Sequence, residues 1–165
     1  MATPLATRVR EVLREVLQTL RRQYFIRVWG MQLGEGTFIS FGAHLDKTNP
    51  NGIYIGKYSV VAFGAAVLAH DSVNQCHRNV RIGDNCFIGA HSIILPGVTI
   101  GDNCIVAAAS VVARDVPAGS LVTGNPARVV ETGVRTTHWG IRVGERSKTP
   151  EFPQNGASRW AADIE

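Results

Sequence analysis

Hydrophobic and polar positions follow two different periods along this chain. In the first thirty residues Leu5, Val9, Val12, Leu13, Val16, Leu17 and Leu20 recur at the three- and four-residue steps of one helix face. Arg8, Arg10, Arg14, Glu11 and Glu15 take most of the other positions. Glu11 has Arg8 and Arg14 one turn away on either side, a pairing worth roughly 0.2–0.5 kcal/mol. The stripe predicts a helix docked as a cap on the end of a larger fold. The alternative is a basic amphipathic helix resting on an anionic membrane surface.

From Ile82 the period is six. Ile82, Ile88, Ile94, Ile100, Val106 and Val112 are all β-branched, and the residue after each is usually small: Gly83, Gly89, Gly101, Ala107 and Ala113, with Leu95 the exception. The fifth positions, Cys86, Ser92, Val98, Cys104, Ser110 and Val116, are small or branched. The same phase returns upstream at Ile55, Val61 and Val67. A six-residue period of this kind predicts a parallel β-helix. Each hexapeptide supplies one short strand and one turn, and three make a coil of eighteen residues. Ile82 should then stack on Ile100, Ile88 on Val106 and Ile94 on Val112. Gly-Asp-Asn recurs at 83–85 and 101–103, one coil apart, where Gly and Asn tolerate the positive φ of a sharp corner. Cys86 and Cys104, also one coil apart, read as small buried side chains.

The phase breaks between Val67 and Ile82, fifteen residues apart. The intervening AHDSVNQCHRNV (69–80) is polar and must leave the prism as a loop, the usual seat of chemistry on a rigid scaffold. A second polar excursion, DKTNPNG (46–52), precedes Ile55. The chain thus divides into an N-terminal amphipathic helix (1–30), a repeat domain (31–130) and a C-terminal tail (131–165). The tail has no period and reads as extended, with Trp139 or Trp160 to pack on a neighbour.

Composition narrows the function. A chain of 165 residues, 45% hydrophobic and 18% charged, fits one domain and excludes wholesale disorder. No apolar run reaches the roughly 18 residues of a membrane span. Three Cys without a CxxC argue against a disulfide framework and a zinc ribbon. The absence of a signal-peptide pattern gives a cytoplasmic expectation. The net charge of +4 sits in residues 1–30, which hold six Arg and two Glu, while the rest of the chain is balanced. That distribution argues against nucleic-acid binding, which would place Lys and Arg on the body of the domain.

The strings VLAHD (67–71), IGDNCFIGAHSIILPGVTIGDNCIVAAASVVARDVP (82–117) and GNPARVV (124–130), in this order, resemble the hexapeptide-repeat acyltransferases, close to the maltose/galactoside and surface-polysaccharide O-acetyltransferases. The resemblance implies a mainly β fold, a left-handed parallel β-helix with an N-terminal helix and a C-terminal extension. It also implies a homotrimer that transfers acetyl from acetyl-CoA to a carbohydrate hydroxyl, in surface-glycan biosynthesis and without a metal. The family's catalytic histidine corresponds to His70. Imidazole suits this role, because its pKa near 6.5 lets it accept a hydroxyl proton at neutral pH. Asp71 or a backbone carbonyl would orient the ring, and Asp71 and His77 are the candidate acceptor-binding residues. The family's acetyl-CoA contacts map to Ala90, Ala108, Ala113, Arg114 and Arg128, with the two arginines facing CoA phosphates. The family often has threonine-lysine at Ala113-Arg114 and Gly-Ala-Gly at Ala107-Ala108-Ala109, so one hydroxyl is lost and the groove is slightly narrowed.

Two other classes stay open at this level. His44, His70, His77 and His91 invite comparison with the trimeric β-helix carbonic anhydrases, but no pair has reliable zinc-ligand spacing. A non-catalytic β-helix scaffold would leave His70 without a role.

Overall fold

From Gln32 to Val112, short strands visit three parallel sheets in turn. The computed structural model describes residues 5–143, the side chains of Leu5, Ala6, Arg8 and Glu11 excepted. The first sheet stacks Gln32–Leu33, Ile53–Ile55, Val80–Ile82 and Thr99–Ile100. The second stacks Phe38–Ile39, Val60–Val61, Phe87–Ile88, Ile105–Val106 and Ser120–Gly124, and ends in an antiparallel strand, Ala127–Thr132. The third stacks His44–Leu45, Ala66–Val67, Ile93–Ile94 and Val111–Val112.

Register follows the eighteen-residue coil where the repeats are unbroken. Ile82 pairs with Ile100, Ile88 with Val106 and Ile94 with Val112. The inward residue of each pair is buried, so aliphatic ladders fill the prism. Each such side chain contributes about 1.5–3 kcal/mol by leaving water.

The corners explain the polar part of the repeat. Between the first and second sheets Gly36, Tyr58, Asn85, Asn103 and Gly119 all have positive φ, and Asn85 and Asn103 are the two asparagines of the Gly-Asp-Asn motifs. Inside the same corner runs a column of small donors. Ser59 Oγ donates to Gly83 O at 2.7 Å, Cys86 Sγ to Gly101 O at 3.1 Å and Cys104 Sγ to Pro117 O at 3.1 Å. Cys86 and Cys104 are therefore buried free thiols in the serine role, binding each coil to the next. The neighbouring Cys104 thiol, together with burial, pushes the Cys86 thiol well above its ordinary pKa.

The helix spans Leu5–Trp29, but it does not dock by its apolar stripe. Among its described side chains Phe25 alone enters the buried core, with Ile26 and Trp29 packed against it. The face turned to the prism is largely polar: Arg22 Nε donates to Gly34 O at 2.8 Å, Arg21 donates to Ser40 O and Phe41 O, and the Arg14 guanidinium lies over the Phe38 ring. Val12 (59% exposed), Leu13 and Leu20 (62% exposed) face away. The cap expectation thus holds for the last turn and fails for the stripe, because stacked and hydrogen-bonded guanidinium groups take the inner face.

The tail also departs from its expectation. Beyond Val134 it returns along the corner between the first and second sheets. Thr136 Oγ1 donates to Asn85 O at 2.7 Å, the Trp139 N–H to Tyr58 O at 2.6 Å and Trp139 Nε1 to Gly36 O at 2.9 Å. Trp139 binds its own chain, a strap from the last coil to the first; Trp160 lies outside the described residues.

Candidate active site

Both polar excursions leave the prism at one corner, between the third and first sheets, one coil apart. Leu45 pairs with Val67 in the third sheet, so the residues that follow each of them are neighbours. The Asp46 N–H donates to Val67 O at 3.0 Å. The first excursion closes through a short 3-10 turn, Pro50–Gly52. The second folds as an antiparallel hairpin in which His70 faces His77 and Asp71 faces Cys76.

Asp46 organises the base of that hairpin. Its Oδ2 accepts from the Ala69 N–H at 2.9 Å and meets Nδ1 of His70, and its Oδ1 accepts from the Thr48 N–H at 2.8 Å. Asn49 Nδ2 donates to Ala69 O at 2.8 Å, so both polar groups of the Ala69 backbone are held from the coil below. One carboxylate oxygen thereby fixes the hairpin backbone and the imidazole ring together. Burial pushes the Asp46 carboxyl up, but the bonds from His70, Thr48 and Ala69 outweigh it and hold the pKa below the ordinary value. The Asp46 side chain is 3% exposed and that of His70 27%, so the ring has one edge on a buried anion and another open to solvent.

Asp71 does not orient the ring. Its Oδ1 accepts from the Val73 and Asn74 N–H groups at 3.0 Å each, and its Oδ2 from Asn74 Nδ2 at 2.6 Å, which builds the hairpin turn. The bonds from Asn74 lead in lowering its pKa. His77 is exposed across the hairpin from His70.

The residues assigned to acetyl-CoA fall on two edges of the third sheet. Ala113 and Arg114 follow Val112 at the His70 corner, above the tight turn from Leu95 to Val98. Ala90 and Ala108 lie at the opposite corner, between the second and third sheets, in successive coils. Arg128 pairs with Thr123 in the terminal hairpin that continues the second sheet. Two of the other histidines pack on rings, His91 edge-on against Phe63 and His138 against Tyr58, and His44 is exposed on its strand. Among the described residues no three His, Cys, Asp or Glu side chains gather in a group that could hold a metal ion.

Comparison with known proteins agrees with this architecture. The model of the hexapeptide repeat of succinyl-transferase matches residues 79–114. The chain is 38% identical over 104 residues to the putative acetyltransferase YvoF of Bacillus subtilis (strain 168), covering 62% of this chain and 60% of that protein. It is 31% identical over 143 residues to the putative acetyltransferase SACOL2570 of Staphylococcus aureus (strain COL), covering 77% of this chain and 71% of that one. The chain belongs to the hexapeptide-repeat acetyltransferases. Among solved structures, a maltose O-acetyltransferase from Clostridium difficile 630 superposes with a TM-score of 0.55 at 25% identity, over 68% of this chain and 74% of that one. A serine acetyltransferase from Brucella abortus strain S19 in complex with coenzyme A gives 0.52 at 29% identity, over 62% and 40%. The shared fold is the left-handed parallel β-helix.

In this acetyltransferase the residue that sequence reasoning missed is Asp46. Its signal was present in the phase arithmetic. Leu33 pairs with Ile55, twenty-two residues on, and Ile55 with Ile82, twenty-seven on. The excess over eighteen falls at the same corner in both coils, which brings the first residue of one loop beneath the base of the next. No helix of the acetyltransferase is long and apolar enough to cross a membrane among the described residues.

Proposed function

We propose that the protein is an acetyl-CoA-dependent O-acetyltransferase in which His70 is the general base, and that its acceptor is a hydroxyl of a sugar or sugar-containing molecule. The observation that carries this reading is the His70–Asp46 pair. A buried carboxylate that accepts from Nδ1–H leaves the Nε2 lone pair on the open edge of the ring. As the acceptor hydroxyl oxygen attacks the thioester carbonyl carbon, its proton passes to Nε2. The tetrahedral intermediate then collapses, the C–S bond breaks, and the imidazolium returns the proton to the leaving thiolate. The products are an acetyl ester and CoA. Asp46 stabilises the imidazolium and fixes its tautomer, as a carboxylate does for histidine in hydrolase triads.

The unit that carries this activity is the repeat domain, 31–130, flanked by segments 1–30 and 131–165. The working form is a homotrimer. Two features support it: the outward residues of the second sheet, Phe38, Val60, Phe87, Ile105 and Leu121, are apolar and only partly buried in one chain, and the acetyl-CoA residues are split between the two edges of the third sheet. Packed copies would bring Ala90, Ala108 and Arg128 of one chain opposite His70, Ala113 and Arg114 of another, with the arginines meeting CoA phosphates. The likeness to the CoA-bound serine acetyltransferase supports the donor, and that to the maltose enzyme supports the acceptor class. The setting implied by the resemblance is surface-glycan synthesis in the cytoplasm.

The test is thiol release from acetyl-CoA against a panel of sugars, nucleotide-sugars and L-serine. Turnover confined to carbohydrate hydroxyls supports the reading. Turnover with serine and no sugar replaces the acceptor class, and no turnover with any hydroxyl acceptor overturns the reading.

A further inference from the structure

We infer that the N-terminal helix seats the protein on an anionic lipid surface, apolar stripe down. Three observations converge on this. The first is the direction of the stripe. Val9, Val12, Leu13, Val16, Leu20, Tyr24 and Val28 are all between 47% and 63% exposed. From Val9 to Val28 they form a band about 28 Å long on one side of the helix.

The second is that the stripe cannot turn inward. Arg14, Arg21, Arg22 and Phe25 fasten the opposite side to the prism through two carbonyl-bonded guanidinium groups, stacking of Arg14 on Phe38 and Arg21 on Phe41, and one buried phenyl. The helix is therefore held rigidly with its greasy side outward, the arrangement an interfacial helix needs.

The third observation selects the occupant. Residues 1–30 carry six Arg and two Glu, and the whole net charge of +4 lies there. Arg14, Arg21 and Arg22 are engaged by the prism, so among the described side chains the cations free to meet a surface are Arg10 and Arg27, both exposed. Two copies meeting stripe to stripe would bring two such cationic segments together. An anionic headgroup layer attracts them, and near-surface arginines strengthen such binding severalfold each. No part of this inference depends on the acceptor or on His70.

The experiment is co-sedimentation of the full chain with vesicles of phosphatidylcholine alone and with about 30% phosphatidylglycerol added, beside light scattering for the oligomeric state. The wild type should bind the mixed vesicles, with affinity at least tenfold higher than for the neutral ones and falling at high salt. Leu13→Glu with Val16→Glu should abolish binding without changing the oligomeric state. Arg10→Glu with Arg27→Glu leaves the stripe intact and should weaken binding at least about thirtyfold. Far-ultraviolet circular dichroism shows whether each variant keeps its helix. Absence of wild-type binding to the mixed vesicles would overturn the inference. So would binding indifferent to both variant pairs, or a drop in oligomeric state in the stripe variant, which would assign the stripe to a second copy.

Discussion

Nδ1 of His70 rests on Oδ2 of Asp46, a residue twenty-four positions earlier that belongs to the coil below. The contact joins the two loops of the β-helix, and the same carboxylate oxygen holds the Ala69 N–H. Replacement of Asp46 therefore disturbs ring orientation and loop anchoring together. Asp46→Asn is expected to lower kcat at least about tenfold, less than loss of His70 itself, with KM for acetyl-CoA nearly unchanged. Steady-state kinetics with saturating acceptor checks it.

The same carboxylate gives a pH signature. Its pKa is lower folded than unfolded, so the unfolded state binds more protons as the pH falls. The stabilisation is complete above the unfolded value of about 3.9 and fades as the pH drops through the depressed folded value. Urea denaturation from pH 7 to pH 3 should show wild type and Asp46→Asn separated at neutral pH and converging in acid. A constant gap across the range would mean that the charge of Asp46 plays no part.

The arginines proposed to meet CoA are expected to act on binding. Arg114→Ala and Arg128→Ala should each raise KM for acetyl-CoA about tenfold and leave kcat within about twofold, since removing a charged hydrogen bond costs roughly 1.5–3 kcal/mol. Arg114 and Arg128 are both exposed in one chain, so thermal stability should hardly change.

Glycines in the repeat differ in what they exclude. A Cβ on Gly89 would stand 2.6 Å from the Ala108 nitrogen and from the Val106 oxygen, both backbone atoms of the next coil. A Cβ on Gly42 would have nothing nearer than 3.6 Å. Gly89→Ala should destabilise by about 1–3 kcal/mol, while Gly42→Ala should stay within about 0.5 kcal/mol of wild type. Chemical denaturation of the two variants gives the comparison.

The β-helix was legible because its physics is periodic. An Ile or Val at every sixth position from Ile82 to Val112 determines strand, turn and register together, and the Asn85 and Asn103 corners follow from one recurring tripeptide. His70 could be singled out by resemblance and by its place at the break in phase. Its partner was hidden because adjacency in sequence favoured Asp71, whereas the side chain of Asp71 is consumed by the hairpin turn. The helix misled for a related reason: a stripe shows that a face needs cover but not which body covers it, and here arginines and Phe25 hold the inner side. The strap from Thr136 to Trp139 has no period at all and rests on single hydrogen bonds to corner carbonyls.

The coil-to-coil column of small donors makes a graded prediction. Ser59 Oγ bonds Gly83 O, but the Ser120 hydroxyl, in the last coil, is buried without a partner among the described residues. Ser59→Ala should cost about 1–3 kcal/mol, because it leaves buried polar groups without a partner, whereas Ser120→Ala should be neutral or slightly stabilising. Equal losses in thermal or urea melts would contradict the column's role.

The central claim is that His70 removes the acceptor proton, and the kcat of His70→Ala tests it most directly, measured by thiol release beside calorimetric binding of acetyl-CoA. The expected result is a fall of about 10²–10⁴-fold in kcat with donor affinity retained. A kcat within about threefold of wild type, with the donor still bound, would contradict the assignment.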